Sequence, residues 1–397
     1  MKLLINLLLN MRKVIHIVIL CCIWCCGQNT VTQSSVEECR NLRFERNRLI
    51  VTATLQDSTD VEMVFDSGCI NGFANIDSAM VAKLHGKQDE SDNKTKSMLL
   101  QIGGYPLKYQ CFVNSYTRPL IGLNCKDSLL RWSIDIARGN ISPIPNDSLL
   151  NVNGYYRTPL RIVYGVLPIA EIPVTIYKDD KKYCFKRSFL VDTGLPTAFC
   201  ITDPDIELLN FVNEVPHCQY EDSLTDEFKK RGRKRIFSRF MLDSISVFNS
   251  VVGKSCCCID VGVRSARSEF GDDVVGMIGM GVLKEFNFIF DYKDSQLLSV
   301  PHEKDMPFYE QAESGLGFTY SKRLRVSFVE IGHNAQKAGL QSGDEIVSIN
   351  NIPLAELLNT GAMDSIRELP NGTPIHLQIK RNGKVLGFEY LSHKSLN

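Results

Sequence analysis

The sequence predicts a mainly β protein of two repeated lobes, closed by a smaller α+β module. Three observations carry that expectation. Over residues 47–301, short β-branched and aromatic runs alternate with Gly, Pro, Asn and Asp clusters, and few segments hold a long 3.6-residue period. Within that region an Asp–hydroxyl–Gly triplet closes an apolar run twice, and each copy is followed by a second apolar–Gly element. Beyond the polar stretch 303–313, two short helical patterns appear among strands. At 397 residues the chain also exceeds the roughly 250–300 that one hydrophobic core organises, so several folded units are expected.

Composition narrows the function classes. Lys+Arg 45 balances Asp+Glu 45, which leaves no global positive field to gather nucleic acid. With 44% hydrophobic and 23% charged residues, the chain is neither disordered, collagenous nor a polytopic membrane protein.

The elements follow in order. Residues 1–26 read as a signal- or lipoprotein-like leader: Lys2, Arg12 and Lys13 precede an apolar run from Val14 to Trp24, and a polar exit follows. The run is shorter than the ~20 residues a spanning helix needs, although an uncleaved anchor is the other reading. Cys21, Cys22, Cys25 and Cys26 end it, which resembles the lipid-modified cysteine of bacterial lipoproteins. The expected location is therefore outside the cytoplasm, in the periplasm or cell envelope, with the leader or a lipid as membrane attachment. Residues 27–43 read as linker.

Residues 44–150 and 151–305 are the two expected lobes. In the first, Val61 to Phe65 leads to Asp66-Ser67-Gly68, and Leu120-Ile121-Gly122 follows; in the second, Phe189-Leu190-Val191 leads to Asp192-Thr193-Gly194, and Met277-Ile278-Gly279 follows. After each glycine element comes another apolar run ending in Asp, at Asp135 and Asp291, while the second half carries an insertion of about thirty residues. A triplet of this kind fixes a carboxylate at the end of a buried strand. Its hydroxyl can bond across to a twin, and its Gly lets backbone N–H approach the carboxylate. Two carboxylates brought together cannot both ionise, so one serves as base to a water while its protonated partner polarises a carbonyl. No cofactor or metal is expected. Ten cysteines follow the leader, most in apolar runs such as Gln110-Cys111-Phe112-Val113, where a free Cys acts as a small hydrophobe. His217-Cys218 with Cys256, Cys257 and Cys258 is the alternative zinc set, lacking a second Cys-x-x-Cys pair.

These residues resemble the pepsin/retropepsin superfamily of aspartic proteases in its two-lobed, single-chain form. The resemblance implies double-psi β-barrel lobes, Asp66 and Asp192 as catalytic residues, Ser67 and Thr193 as the grip between lobes, and Gly68 and Gly194 as the close-approach glycines. Where pepsins carry Ser or Thr after each triplet and retropepsins Ala, this chain has Cys69 and Leu195. Lacking a strong side-chain donor there, the pair is expected to work at weakly acidic to neutral pH. The flap-like segments fall at 86–97 and 221–238, the latter including the basic run Lys229-Lys230-Arg231-Gly232-Arg233-Lys234-Arg235, which reads either as a solvated loop or as a site for acidic partners.

Residues 306–397 form the last expected unit. Gly315-Leu316-Gly317-Phe318 opens it, and Ala338-Gly339-Leu340-Gln341-Ser342-Gly343-Asp344-Glu345-Ile346 follows a strand-like run. The order resembles a PDZ domain. That implies a peptide carboxylate bound by backbone at Leu316, Gly317 and Phe318, a side-chain pocket lined by Met363 and Ile366, and polypeptide C-termini as partners; docking of the module on its own lobes is the other reading. The function implied is an exported aspartic endopeptidase with polypeptide substrates. Its rival is a noncatalytic cell-envelope scaffold that keeps the fold.

Overall fold

The computed structural model describes residues 40–45, 47–56, 58–69, 74–76, 95–113, 119–123, 130–145, 147–222, 235–253, 255–260, 270–306, 314–320, 323–354 and 370–393. The leader, the flap-like segment 86–94, the basic residues 229–234 and the pocket residues Met363 and Ile366 lie outside the described residues.

The chain is mainly β. Its first half contains β1 (Leu42–Glu45), β2 (Arg48–Leu55), β3 (Asp60–Asp66), β4 (Ala74–Ile76), β5 (Thr95–Ile102), β6 (Tyr105–Val113) and β7 (Leu120–Gly122). β1 opens two residues before the expected lobe boundary. Asn41 is already buried there, its side chain bonded in both directions to Ile141. The strands β2–β3–β7–β4–β6–β5 form a closed circuit, because β5 returns to β2 through Thr54↔Gln101 and Leu55↔Leu100. Two of its pairings are parallel, β3 with β7 and β4 with β6. β2 buries alternate residues from Val51 to Leu55, the period-2 signature of a strand with one face on a core.

After β8 (Leu130–Asp135) and β9 (Asn140–Pro145), the second half runs through β10 (Tyr156–Val163), β11 (Leu167–Lys178), β12 (Lys181–Val191), β13 (Phe199–Ile201), α1 (Ile206–Asn213), β14 (Cys218–Asp222), β15 (Arg235–Leu242), β16 (Ser244–Val247), β17 (Ser250–Val252), β18 (Ser255–Asp260), β19 (Val274–Ile278), α2 (Met280–Leu283), β20 (Phe286–Asp291) and β21 (Gln296–Pro301). The circuit repeats. β11–β12–β19–β13–β18–β15 again has two parallel pairs, β12 with β19 and β13 with β18, and β16, continuing β15, returns to β11 through Ile176↔Ile245. Between β13 and β15 the second half adds α1 and β14. The halves are joined by an antiparallel sheet in which β8 pairs with β20, Trp132↔Phe290 and Ile134↔Phe288. Fully buried Trp132 packs 5.5 Å from Phe65, the residue before Asp66, so this sheet is the floor beneath the first triplet.

The C-terminal module contains β22 (Leu316–Tyr320), β23 (Leu324–Glu330), α3 (Asn334–Lys337), β24 (Glu345–Ile349), β25 (Ile352–Pro353), β26 (Pro374–Arg381) and β27 (Lys384–Leu391). It has its own apolar core of Leu316, Val326, Leu340, Ile346, Ile375 and Ile379 among others. The last hairpin turns at Asn382-Gly383, both at positive φ, as that dipeptide favours.

Candidate functional site

The two triplets meet. β3 ends at Asp66 beside Gly122 of β7, and Asp192 donates its N–H to Ile278 of β19, so each loop is seated against the glycine element expected from the repeat. Four hydrogen bonds then lock the loops to one another. Ser67 N–H donates to Thr193 Oγ1 and Thr193 N–H to Ser67 Oγ, both at 2.9 Å. The hydroxyls donate onward, Ser67 to the Val191 carbonyl at 2.7 Å and Thr193 to the Phe65 carbonyl at 2.9 Å. Both side chains are buried, at 2% and 0% exposure, so these bonds are shielded from competing water.

The same interlock brings the carboxyls together. Asp66 Oδ1 accepts from Gly68 N–H and Asp192 Oδ1 from Gly194 N–H, each at 2.8 Å, and the two carboxyls are hydrogen-bonded to each other. A Cβ on Gly68 would stand 2.5 Å from the Asp192 carboxyl carbon, and one on Gly194 would stand 2.5 Å from that of Asp66. Only glycine lets each loop pass under the opposite carboxylate. Burial raises both acids above the ordinary carboxylate range. Asp192 rises furthest because the Asp66 charge adds to its desolvation. The arrangement therefore retains a proton that isolated carboxylates would lose.

Cys69 and Leu195 follow the triplets and are partly exposed; Leu195 contributes a backbone N–H to Asp192. Among the described residues no group of three His, Cys, Asp or Glu side chains is placed to hold a metal. Cys218 instead lies against Tyr220, and His217 Nδ1 is 3.0 Å from its own chain at Val215.

In the C-terminal module, Gly315 has φ +65° and packs on the His333 ring, whose Nδ1 accepts from Ala335 N–H to cap α3. Leu316 turns its side chain into the core, and its N–H points to Ser314 Oγ at 3.4 Å. Gly317 lies against the Phe328 ring, and Phe318 is partly buried. β22 pairs with β23 along one edge, and among the described residues no strand lies along the other.

The sequence left docking of this module open as one of two readings but did not mark the strands that make its joint with the second half. β23 pairs antiparallel with β14, Tyr220↔Glu330 and Asp222↔Phe328, and Ile331 N–H donates to the Gln219 carbonyl at 2.7 Å. Tyr220 and Phe237 stack at 5.1 Å, Phe328 meets both edge-on, and the Arg239 guanidinium lies 4.9 Å from the Tyr220 centroid. The module is thus docked through β23, and its β22 edge faces away from that joint. Phe328→Ala removes the ring shared by Tyr220 and Phe237 and is expected to destabilise the joint by about 2 kcal/mol. Amide exchange should then accelerate in both β14 and β23; unchanged protection in β14 would show that the module does not brace that strand.

Residues 308–380 match the PDZ domain family. Over 84 residues the chain is 32% identical to PDZ domain-containing protein 7 of Mus musculus and 31% identical to PDZ domain-containing protein 7 of Homo sapiens. Each match covers 21% of this chain and 7% of the relative, so the chain spans a small fraction of the length of these curated relatives. The C-terminal module is a PDZ domain, a class of module that binds peptide C-termini.

Proposed function

We propose that the protein is an exported aspartic endopeptidase whose PDZ domain binds the C-termini of polypeptides. The observation that carries the reading is the interlocked pair of Asp–hydroxyl–Gly loops, in which each glycine lies beneath the opposite carboxylate. The two matching strand circuits, each with two parallel pairs, support double-psi lobes of the pepsin/retropepsin kind. In this reading the dyad holds one proton. The ionised carboxylate takes a proton from a water between Asp66 and Asp192 as that water attacks the peptide carbonyl, and the protonated carboxyl donates to the carbonyl oxygen. Both lobes contribute one acid, so neither half is sufficient alone.

The PDZ groove adds a second, separate contact. A polypeptide ending in an apolar residue would lie along β22 with its carboxylate at Leu316, Gly317 and Phe318 while its chain remains free to reach the cleft. Residues 1–26 would export the chain and hold it at the envelope. Cys69 and Leu195, in place of the usual hydroxyls, favour the second reading, a noncatalytic scaffold that binds peptides.

Incubating the purified full-length chain with a diverse peptide pool, from acid to neutral pH, separates the two. New termini, most abundant at weakly acidic to neutral pH and absent with Asp192→Asn, are the expected result. A pool left intact at every pH would leave the scaffold.

A further inference from the structure

The two halves repeat in strand order but not in charge. In the first half the β2–β3 ladder ends at Ile50↔Val64. Continuing that register by two residues sets Arg48, the first residue of β2, across from Asp66 and on the same face. In the second half the β11–β12 ladder pairs Ile169↔Leu190, and the same continuation sets Leu167 across from Asp192. The burial of the two strands matches position by position, Ile50, Val51, Ala53 and Leu55 against Ile169, Ala170, Ile172 and Val174, so Arg48 and Leu167 are true counterparts. Leu167 is fully buried in a small apolar cluster with Val166, Ile169, Leu190 and Val274. Arg48 is only partly buried and carries a charge that acts on Asp66.

We propose that Arg48 is a positioning residue of the dyad: a cation supplied by the first half alone, it holds the pair's single negative charge on the Asp66 side of the cleft. The proposal rests on the dyad reading above and deepens it by assigning the base to Asp66 and the acid to Asp192. Among the described residues, three groups act on Asp66. Asp192 faces it from the opposite loop, Gly68 N–H from its own loop, and Arg48 from β2. Among the described residues, Asp192 is faced by Asp66 and by the N–H groups of Gly194 and Leu195, with no cation among them. The two backbone donors on Asp192 pull charge toward the second half. Arg48 opposes them, and the burial of Asp192 acts in the same direction as Arg48.

The test is a titration of ¹³C-labelled aspartate carboxyls in the full-length chain, a readout that needs no substrate, with the dyad resonances assigned from Asp66→Asn and Asp192→Asn. In the wild type the resonance that ionises first should be that of Asp66. In Arg48→Met its midpoint should rise by about one pH unit, and Arg48→Lys should stay within a few tenths of wild type. Both limbs of the pH profile for cleavage should move upward with it in Arg48→Met. An Arg48→Met titration matching wild type, an equal shift in the lysine variant, or first ionisation at Asp192 would overturn the assignment. A chain that titrates as expected yet cleaves no peptide would remove the protease reading while leaving the role of Arg48 intact.

Discussion

Asp66→Asn and Asp192→Asn are each expected to lower peptide cleavage by about 10³-fold or more, because each removes one half of an acid/base pair that works only with one proton between two carboxyls. Neither change should unfold the site. Asn retains the oxygen that accepts from Gly68 or Gly194, and the Ser67–Thr193 interlock does not use the carboxyls. The same variants should move stability in the opposite direction. Burial raises both acids above the range they have in an unfolded chain. A raised acid leaves stability intact below the unfolded value and removes it as pH climbs toward the native value, since the unfolded chain releases its proton first. Asn has no proton to release. Asp192→Asn should therefore be more stable than wild type at neutral pH, with the gap closing in strong acid. Denaturant midpoints at several pH values measure it. A variant that cleaves like wild type removes the dyad, and a stability gap that ignores pH removes the shared proton.

What the sequence makes legible here is whatever is local. Asp66-Ser67-Gly68 and Asp192-Thr193-Gly194 are contiguous, each follows its own apolar run, and Gly122 and Gly279 sit in equally contiguous elements, so the repeat can be read without knowing a single pairing. The turn at Asn382-Gly383 is legible for the same reason. Pairing between distant strands is not. Nothing in Cys218-Gln219-Tyr220-Glu221-Asp222 marks it as the strand that receives the PDZ domain, because the partner Phe328-Val329-Glu330 lies more than a hundred residues away and the match resides in backbone register. Arg48 is a comparable case. A cation at the start of a strand is an ordinary solvated residue until the ladder is counted back to Asp66. The PDZ signature was legible as sequence, but the joint that orients the domain, with Arg239 over Tyr220, was not.

That joint changes how the proposed cleavage and the peptide binding can be separated by mutation. β14 is held on one side by β15 and on the other by β23, so a truncation after residue 305 exposes an edge of the second half as well as removing the PDZ domain. Loss of cleavage in such a truncation would mix two effects. Substitutions in the β22 edge leave β14 paired, and they are the cleaner way to ask what the PDZ domain recognises.

Replacing the interlock itself should produce the largest loss of stability. In Thr193→Val the buried Ser67 N–H loses its acceptor and the Phe65 carbonyl its donor; in Ser67→Ala the same befalls Thr193 N–H and the Val191 carbonyl. An orphaned buried group costs about 1–3 kcal/mol, so each single change should cost about 2–3 kcal/mol. In the double variant both N–H groups are stranded at once, but the loops are free to separate and admit water. Its cost should therefore fall short of the sum, at about 3–5 kcal/mol, and a double-mutant cycle reads that difference as coupling across the two halves. The halves will not come apart, because Trp132↔Phe290 and Ile134↔Phe288 still join them in one sheet. What is lost is the alignment of the carboxyls. Cleavage should drop in every variant even where the fold persists, and the pH dependence of stability that arises from Asp192 should weaken as water reaches it. Equilibrium unfolding of the four proteins decides the matter: a double variant within about 1 kcal/mol of wild type, or strictly additive single changes, would mean that the loops are held by the strands beneath them and not by one another.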